Sequence, residues 1–467
     1  MMAKSNIVNP IINVASKDID VSKTQKESEG SLELQKEKEE HILESARRMG
    51  LFYKIYQNET PREPILKHAL IEFAGMLVAV LPTFIYILIP AQNVIKFPEY
   101  WYEHVIQFCL ICVPLCAAWW QMLCSYLLNV KLVNTVQNFI ILSMIMATAN
   151  GLMYAVVYLV WTKVLYYHYP MPFVCLTSFF ITCVTWIISF WYRFPSTWRE
   201  ELKFRKRLKI ALATIYLSCI VVFEYYGVNI LLFELYGDYQ WVVALFLPLI
   251  REFNLWIMDK VGSAAAEGDP QSGFMAGTML VLAVHSINMT YNVGSKATFA
   301  TTVVVIGTDF LINVAICLRL IYLKKRDGNA TATTKQIKLL QELVMNEVIE
   351  FQVPLCYLIC FIMGYYGPNS GIIGNIGNSY WQYAAVESVT HTVQNVLAFF
   401  IFDVVGLLLT GALLWQYCRI NLYNAYVAVQ KEFGLFMLIN LAVTLNGVIA
   451  ICYGFNCSLI YDTEYIF

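Results

Sequence analysis

A chain of 467 residues that is 58% hydrophobic, 15% aromatic and only 14% charged, with a mean hydropathy of +0.57, is too apolar to be a soluble globular protein. Its apolar residues come in runs of about 20, the length that crosses a bilayer as an α-helix, whereas barrel strands would alternate over about 10 residues. A formal net charge of −1 identifies no charged partner, and no nucleic acid is expected to bind.

Residues 1–66 read as a polar, partly disordered cytoplasmic region. Its stretches Lys17-Asp-Ile-Asp and Gln35-Lys-Glu-Lys-Glu-Glu carry too little apolar surface to fold alone. Lys4, Lys17, Lys23 and Lys26 precede no apolar core, which argues against a cleaved signal peptide. Ile42, Leu43, Ala46, Met49, Phe52 and Ile55 recur at helical spacing, so an amphipathic helix is expected over 32–55, with Arg47 and Arg48 on it.

From residue 67 to 467 the sequence predicts an all-α polytopic transmembrane bundle of eleven spans. They fall at 70–90, 105–128, 139–161, 171–192, 210–233, 241–258, 274–294, 299–323, 353–366, 395–418 and 433–453. Loop charge sets the orientation. With the N-terminus in the cytoplasm and the C-terminus outside, the inner loops hold Lys131, the Arg193 to Lys209 cluster, Lys260, the Lys324 to Lys338 cluster, Arg419 and Lys431. The outer loops hold only Lys96, Lys163 and Lys296. The ninth span is short unless it extends back through Glu350 and Glu347 to Leu343.

The sixth to eighth spans carry most of the ionisable chemistry. Arg251 and Glu252 fall in the middle of the sixth, where each charge costs roughly 2.5 to 3.5 kcal/mol by insertion scales. Pro248 removes a backbone donor just before them and predicts a kink. In the seventh span His285, Asn288 and Asn292 stand at i, i+3 and i+7 and share one face; in the eighth Asp309 and Asn313 do the same at i, i+4. These residues are expected to line a path for a solute or ion, joined by Glu224 of the fifth span and Asp403 of the tenth. Arg251 is expected to be neutralised by Glu252 or by Asp309, Glu224 or Asp403. The alternative is a set of hydrogen bonds that only hold helices together, worth about 0.6 to 2 kcal/mol per contact.

Of the 13 cysteines, Cys109, Cys112 and Cys116 form one stripe that could suit a soft metal, but no His or Met pattern accompanies it. No metal and no cofactor are expected. Nucleotide-binding loops, H-E-x-x-H and G-x-S-x-G are absent from the sequence. The order of features from Asp309 to Asn369 is partly repeated from Asp403 to Asn456, with different internal spacings.

Leu247-Pro-Leu-Ile-Arg251, the acidic stretch Gln341 to Glu350 that leads to Tyr365-Tyr-Gly-Pro-Asn369, and Val429-Gln-Lys-Glu-Phe433 give the second half an order of features. It resembles a large family of uncharacterised multi-pass membrane proteins abundant in protists. That resemblance implies a shared membrane architecture and no activity or functional residue.

Three functions are weighed. A secondary transporter or permease for a small polar or anionic solute would use Arg251 to meet the anionic group and the carboxylates to carry coupling protons or cations. A receptor or ligand-gated channel would use the 367–394 segment, with Tyr380, Trp381 and Tyr383, to contact its ligand. An intramembrane enzyme is the third; His285 and Asn254 faintly resemble the His and Asn of membrane-bound O-acyltransferases. The partners expected are the bilayer and a small molecule that the sequence does not identify, and it gives no oligomeric state.

Overall fold

The computed structural model describes residues 54–56, 64–88, 113–128, 136–160, 174–194, 196–230, 240–265, 270–294, 299–327, 333–366 and 386–466. All lie within one compact unit, Ser45–Phe467. Among the described residues there is no strand. The helices are α1 (Ile65–Leu88), α2 (Val113–Leu128), α3 (Val136–Leu159), α4 (Val174–Arg193), the single turn α5 (Ser196–Glu200), α6 (Leu202–Ile230), α7 (Gln240–Ala265), α8 (Pro270–Gly294), α9 (Phe299–Asp327), α10 (Thr334–Tyr366), α11 (Val386–Cys418) and α12 (Leu422–Ile466).

Among the described residues, five segments are long and apolar enough to cross a membrane: Ile65–Ile85, Gln240–Ala265, Ala300–Asp327, Lys335–Met363 and Val389–Cys418. A sixth is added if Leu422–Lys431 and Phe433–Leu445, bent by 81° within α12, count as one span, and Val113–Cys124, Ile140–Met153 and Ile181–Tyr192 are shorter apolar helices. The all-helical class is thus observed and is compatible with a membrane protein. Of the eleven expected spans, five or six have this length and hydropathy among the described residues. α6 falls outside the set; it opens on Lys203, Arg205, Lys206, Arg207 and Lys209. α8 falls outside as well, and it carries His285, Ser286, Asn288, Thr290 and Asn292 within two turns.

One expectation changes. The ninth span does not start at Val353: α10 runs unbroken from Thr334, which takes Glu342, Asn346, Glu347 and Glu350 into the same helix. Pro248 lies inside α7, and the helix continues through it as one element. The expected amphipathic helix (apart from 54–56), Cys109, Cys112 and most of the 367–394 segment lie outside the described residues.

α8 occupies the centre. Every residue from 277 to 290 is buried, and the helix packs against α2, α6, α7, α10, α11 and α12 as well as α9. Its closest neighbour is α7, because Gly277 has no side chain: a Cβ there would stand 3.0 Å from Met258 Cβ and 3.4 Å from the Met258 carbonyl oxygen. Asn440 Nδ2 donates to the Met279 carbonyl at 3.0 Å, and at the C-terminal end Thr392 Oγ1 and Asn395 Nδ2 donate to the Gly294 and Val293 carbonyls at 2.6 and 3.2 Å. Such bonds satisfy carbonyls that a helix terminus leaves unpaired.

Outside this centre the surface is apolar. Leu70, Phe73 and Leu81 on α1, Leu249, Phe253 and Trp256 on α7, and Ile401, Phe402 and Leu408 on α11 are exposed, as helices facing lipid would be. An edge-and-face column of rings, Trp120, Trp186, Phe190 and Phe194, joins α2 to α4 with centroids 4.6 to 5.7 Å apart.

Basic side chains at one end of the bundle close helix C-termini. Arg207 donates to the Leu128 carbonyl of α2 at 2.9 Å and to the Ala265 carbonyl of α7 at 3.2 Å. Lys324 donates to the carbonyls of Tyr56 and Cys418 at 3.0 and 2.7 Å, and Lys338 pairs with Asp259 at 2.6 Å. Cations at helix C-termini also oppose the helix dipole.

Candidate functional site

The inner stripe of α7 is Ala244, Leu247, Arg251, Asn254, Leu255 and Met258, all buried at helical spacing. Arg251 therefore points inward near the middle of the helix and is 0% exposed. Glu252 follows about 100° around the helix and is exposed beside Phe253, so it leaves the site that the sequence assigned it.

On α9 the inner stripe is Val305, Asp309, Asn313, Cys317 and Leu320. Asp309 Oδ1 stands 3.7 Å from Arg251 Nη1. That is ion-pair range and too long for a hydrogen bond. None of the three guanidinium nitrogens has a hydrogen-bond partner among the described residues, and neither has Asp309 Oδ1.

α10 supplies what the sequence reading left out. Asn346 and Glu350 lie one turn apart and face Asn313: Asn313 Nδ2 donates to Glu350 Oε2 at 2.6 Å, while Asn346 Nδ2 donates to Glu350 Oε1 and to Asn313 Oδ1. Glu347, also buried, lies beside Thr410 of α11. Asp403 of α11 is half-buried, and its carboxylate completes a group in which one oxygen each of Asp309, Glu350 and Asp403 lie within 4.8 Å of one another. Three carboxylates from three helices thus gather beside one guanidinium.

His285 is buried and shares a 2.9 Å hydrogen bond between its Nδ1 and the Tyr225 hydroxyl of α6, while its Nε2 has no partner among the described residues. Both rings lie within the electrostatic reach of Arg251. Glu224 does not reach Arg251; it accepts a 2.9 Å bond from Asn254 Nδ2. Asn288 turns back on its own helix, donating to the Val284 carbonyl at 2.7 Å. Asn292 is buried two turns beyond His285, next to the carbonyls that α11 closes.

Of the nine sequence-assigned residues, Arg251, Asp309, Asn313 and Asp403 are therefore linked into one cluster through Asp309 and Glu350, and His285 stands apart on Tyr225. Glu252, Glu224, Asn288 and Asn292 do not join the cluster. Glu350, Asn346, Glu347 and Tyr225 were missed; the recurrence of Asn346, Glu347 and Glu350 at i, i+1 and i+4 in a stretch otherwise apolar was the one signal available.

A second polar cluster ties α1 to α10 and α12. Glu72 accepts from Gln352 Nε2, from the Tyr426 hydroxyl and, at 2.9 Å, from Gln430 Nε2; His68 Nδ1 meets Gln430 Oε1 at 2.6 Å. No family model, no curated protein and no solved structure matches the chain.

Proposed function

We propose that the chain is a multi-pass membrane protein with a cytoplasmic N-terminus, and that it works as a secondary transporter or permease for a small polar or anionic solute. The observation that carries this reading is Arg251: fully buried in mid-helix, with three nitrogens that no described residue accepts from, and one carboxylate at 3.7 Å. Such a group is costly within a bilayer unless it meets a partner, water or a ligand. Its planar fork of donors suits a carboxylate or phosphate.

The orientation rests on the basic residues that close helix ends. Arg207, Lys324 and Lys338 gather at one end, where the positive-inside rule places the cytoplasm. The likeness of the stretches around Arg251, Glu350 and Phe433 to protist membrane proteins is offered as shared architecture only.

Uptake of a pooled metabolite library into proteoliposomes, with and without a proton or sodium gradient, tests the reading. Wild type accumulates at least one solute, and Arg251→Ala and Asp309→Asn, correctly inserted, do not. Unselective, gradient-independent conductance would indicate a channel. Absence of any flux, together with a solute that raises thermal stability, would favour a receptor and overturn the proposal.

A further inference from the structure

We propose that Asp309, Glu350 and Asp403 form a binding site for one calcium-sized divalent cation, whether or not a solute is transported. Three observations combine. First, the donor set is all oxygen, from α9, α10 and α11, and three atoms mutually within 4.8 Å leave a point no more than about 2.8 Å from each, close to the 2.3–2.6 Å of calcium–oxygen bonds. Magnesium needs about 2.0–2.1 Å in a near-ideal octahedron and gives up its waters reluctantly, which makes it the less suited ion for a group of three buried carboxylates.

Second, the ionised cluster needs a counter-charge that Arg251 alone does not supply. Arg251 offsets one of the three carboxylates. Glu347, within the electrostatic reach of all three acids, adds to the negative field. With all three ionised, two or more negative charges would remain in a place that water barely reaches, Asp309 and Glu350 each being only 3% exposed, so protons or a cation must neutralise them. A divalent ion cancels two of them, a monovalent ion only one; uncompensated charge in such surroundings is strongly unfavourable.

Third, the site has unmet hydrogen-bonding capacity of both signs. Asp309 Oδ1 and Asp403 Oδ2 receive no donor among the described residues, which leaves their lone pairs for a metal. The fully buried guanidinium of Arg251 faces the same point and finds no acceptor there. Calcium takes 6–8 oxygens and keeps waters where the protein supplies fewer; such waters donate to neighbouring carboxylate oxygens, and Arg251 keeps its place opposite Asp309. Asn313 and Asn346 meanwhile each donate to one Glu350 oxygen, Oε2 and Oε1 respectively, as outer partners orient a metal ligand.

The test uses the full chain in lipid nanodiscs after chelation with EGTA. Equilibrium binding of radioactive calcium and thermal unfolding, followed by tryptophan fluorescence, are read against calcium, magnesium, sodium and choline chlorides. Wild type is expected to bind one calcium per chain and to melt at a higher temperature as calcium saturates. Glu350→Gln and Asp403→Asn each weaken calcium binding at least about tenfold. Asp259→Asn, outside the cluster, leaves it unchanged. In EGTA, Asp403→Asn should melt no lower than wild type, because it removes one of several repelling charges, so lost binding is not lost folding. Undiminished binding in both variants, or equal shifts by calcium and choline, would overturn the proposal. So would a wild type that binds no calcium while its carboxyl groups show the protonated stretch by infrared spectroscopy, which would assign the site to protons.

Discussion

Arg251 and Asp309 face each other at 3.7 Å across the α7–α9 contact, each near the middle of its helix and neither more than 3% exposed. Removing one partner strands the other charge in the interior, at a cost of about 3–5 kcal/mol. Arg251→Ala should therefore destabilise the protein more than the double variant Arg251→Ala/Asp309→Ala. A double-mutant cycle in thermal stability measures the coupling. Glu252→Gln, on the outer side of the same helix, should show no coupling to Arg251.

The amide triangle behind Glu350 makes a separate prediction. Asn313→Ala removes the 2.6 Å donor to Glu350 Oε2, and a buried acceptor left unpaired costs about 1–3 kcal/mol. Asn313→Asp places a further acid against Glu350 and should lower the melting temperature more than Asn313→Ala does.

How much of this was legible beforehand differs from residue to residue. A lone Arg in mid-span announces itself, because hydropathy makes it costly wherever it points, and the preference for an inward acid partner follows. Glu350 did not, since Glu342, Asn346 and Glu347 lower the local hydropathy and leave open whether the span starts at Leu343 or at Val353. What makes the segment tolerable inside a helix bundle is Asn313 on another helix, and a single sequence does not record that pairing. Glu252 can share a site with Arg251 only where a kink at Pro248 turns both inward; neighbours on a helix point about 100° apart, and Glu252 is exposed.

Glycines give a test of packing. Gly277→Ala puts a Cβ 3.0 Å from Met258 Cβ, and overpacking of this kind costs about 1–3 kcal/mol. Gly307→Ala meets nothing within 4 Å and should be neutral or stabilising by up to about 1 kcal/mol, the helix-propensity gain. Thermal melting of the two variants side by side checks both signs.

Topology can be read with glycans. Asn329-Ala-Thr331, between α9 and α10 in the sequence, should stay unmodified under the proposed orientation, which assigns it to the cytoplasm, and Asn288-Met-Thr290 because Asn288 is buried in α8. A glycan on Asn329, detected by an endoglycosidase-sensitive mobility shift, would reverse the orientation.

α8 is enclosed by helices made before it and after it: α6 and α7 precede it in the chain, α10, α11 and α12 follow. With His285, Ser286, Asn288, Thr290 and Asn292 on one short stretch, it is poorly suited to leave the insertion machinery for lipid by itself. If the chain inserts as proposed, α8 is expected to lean first on α7 through the Gly277 contact and to stay half-sheltered until the C-terminal helices arrive. Nascent chains stopped shortly after Gly294 should therefore linger at the translocon or its chaperones, and chains extended through α12 should be released.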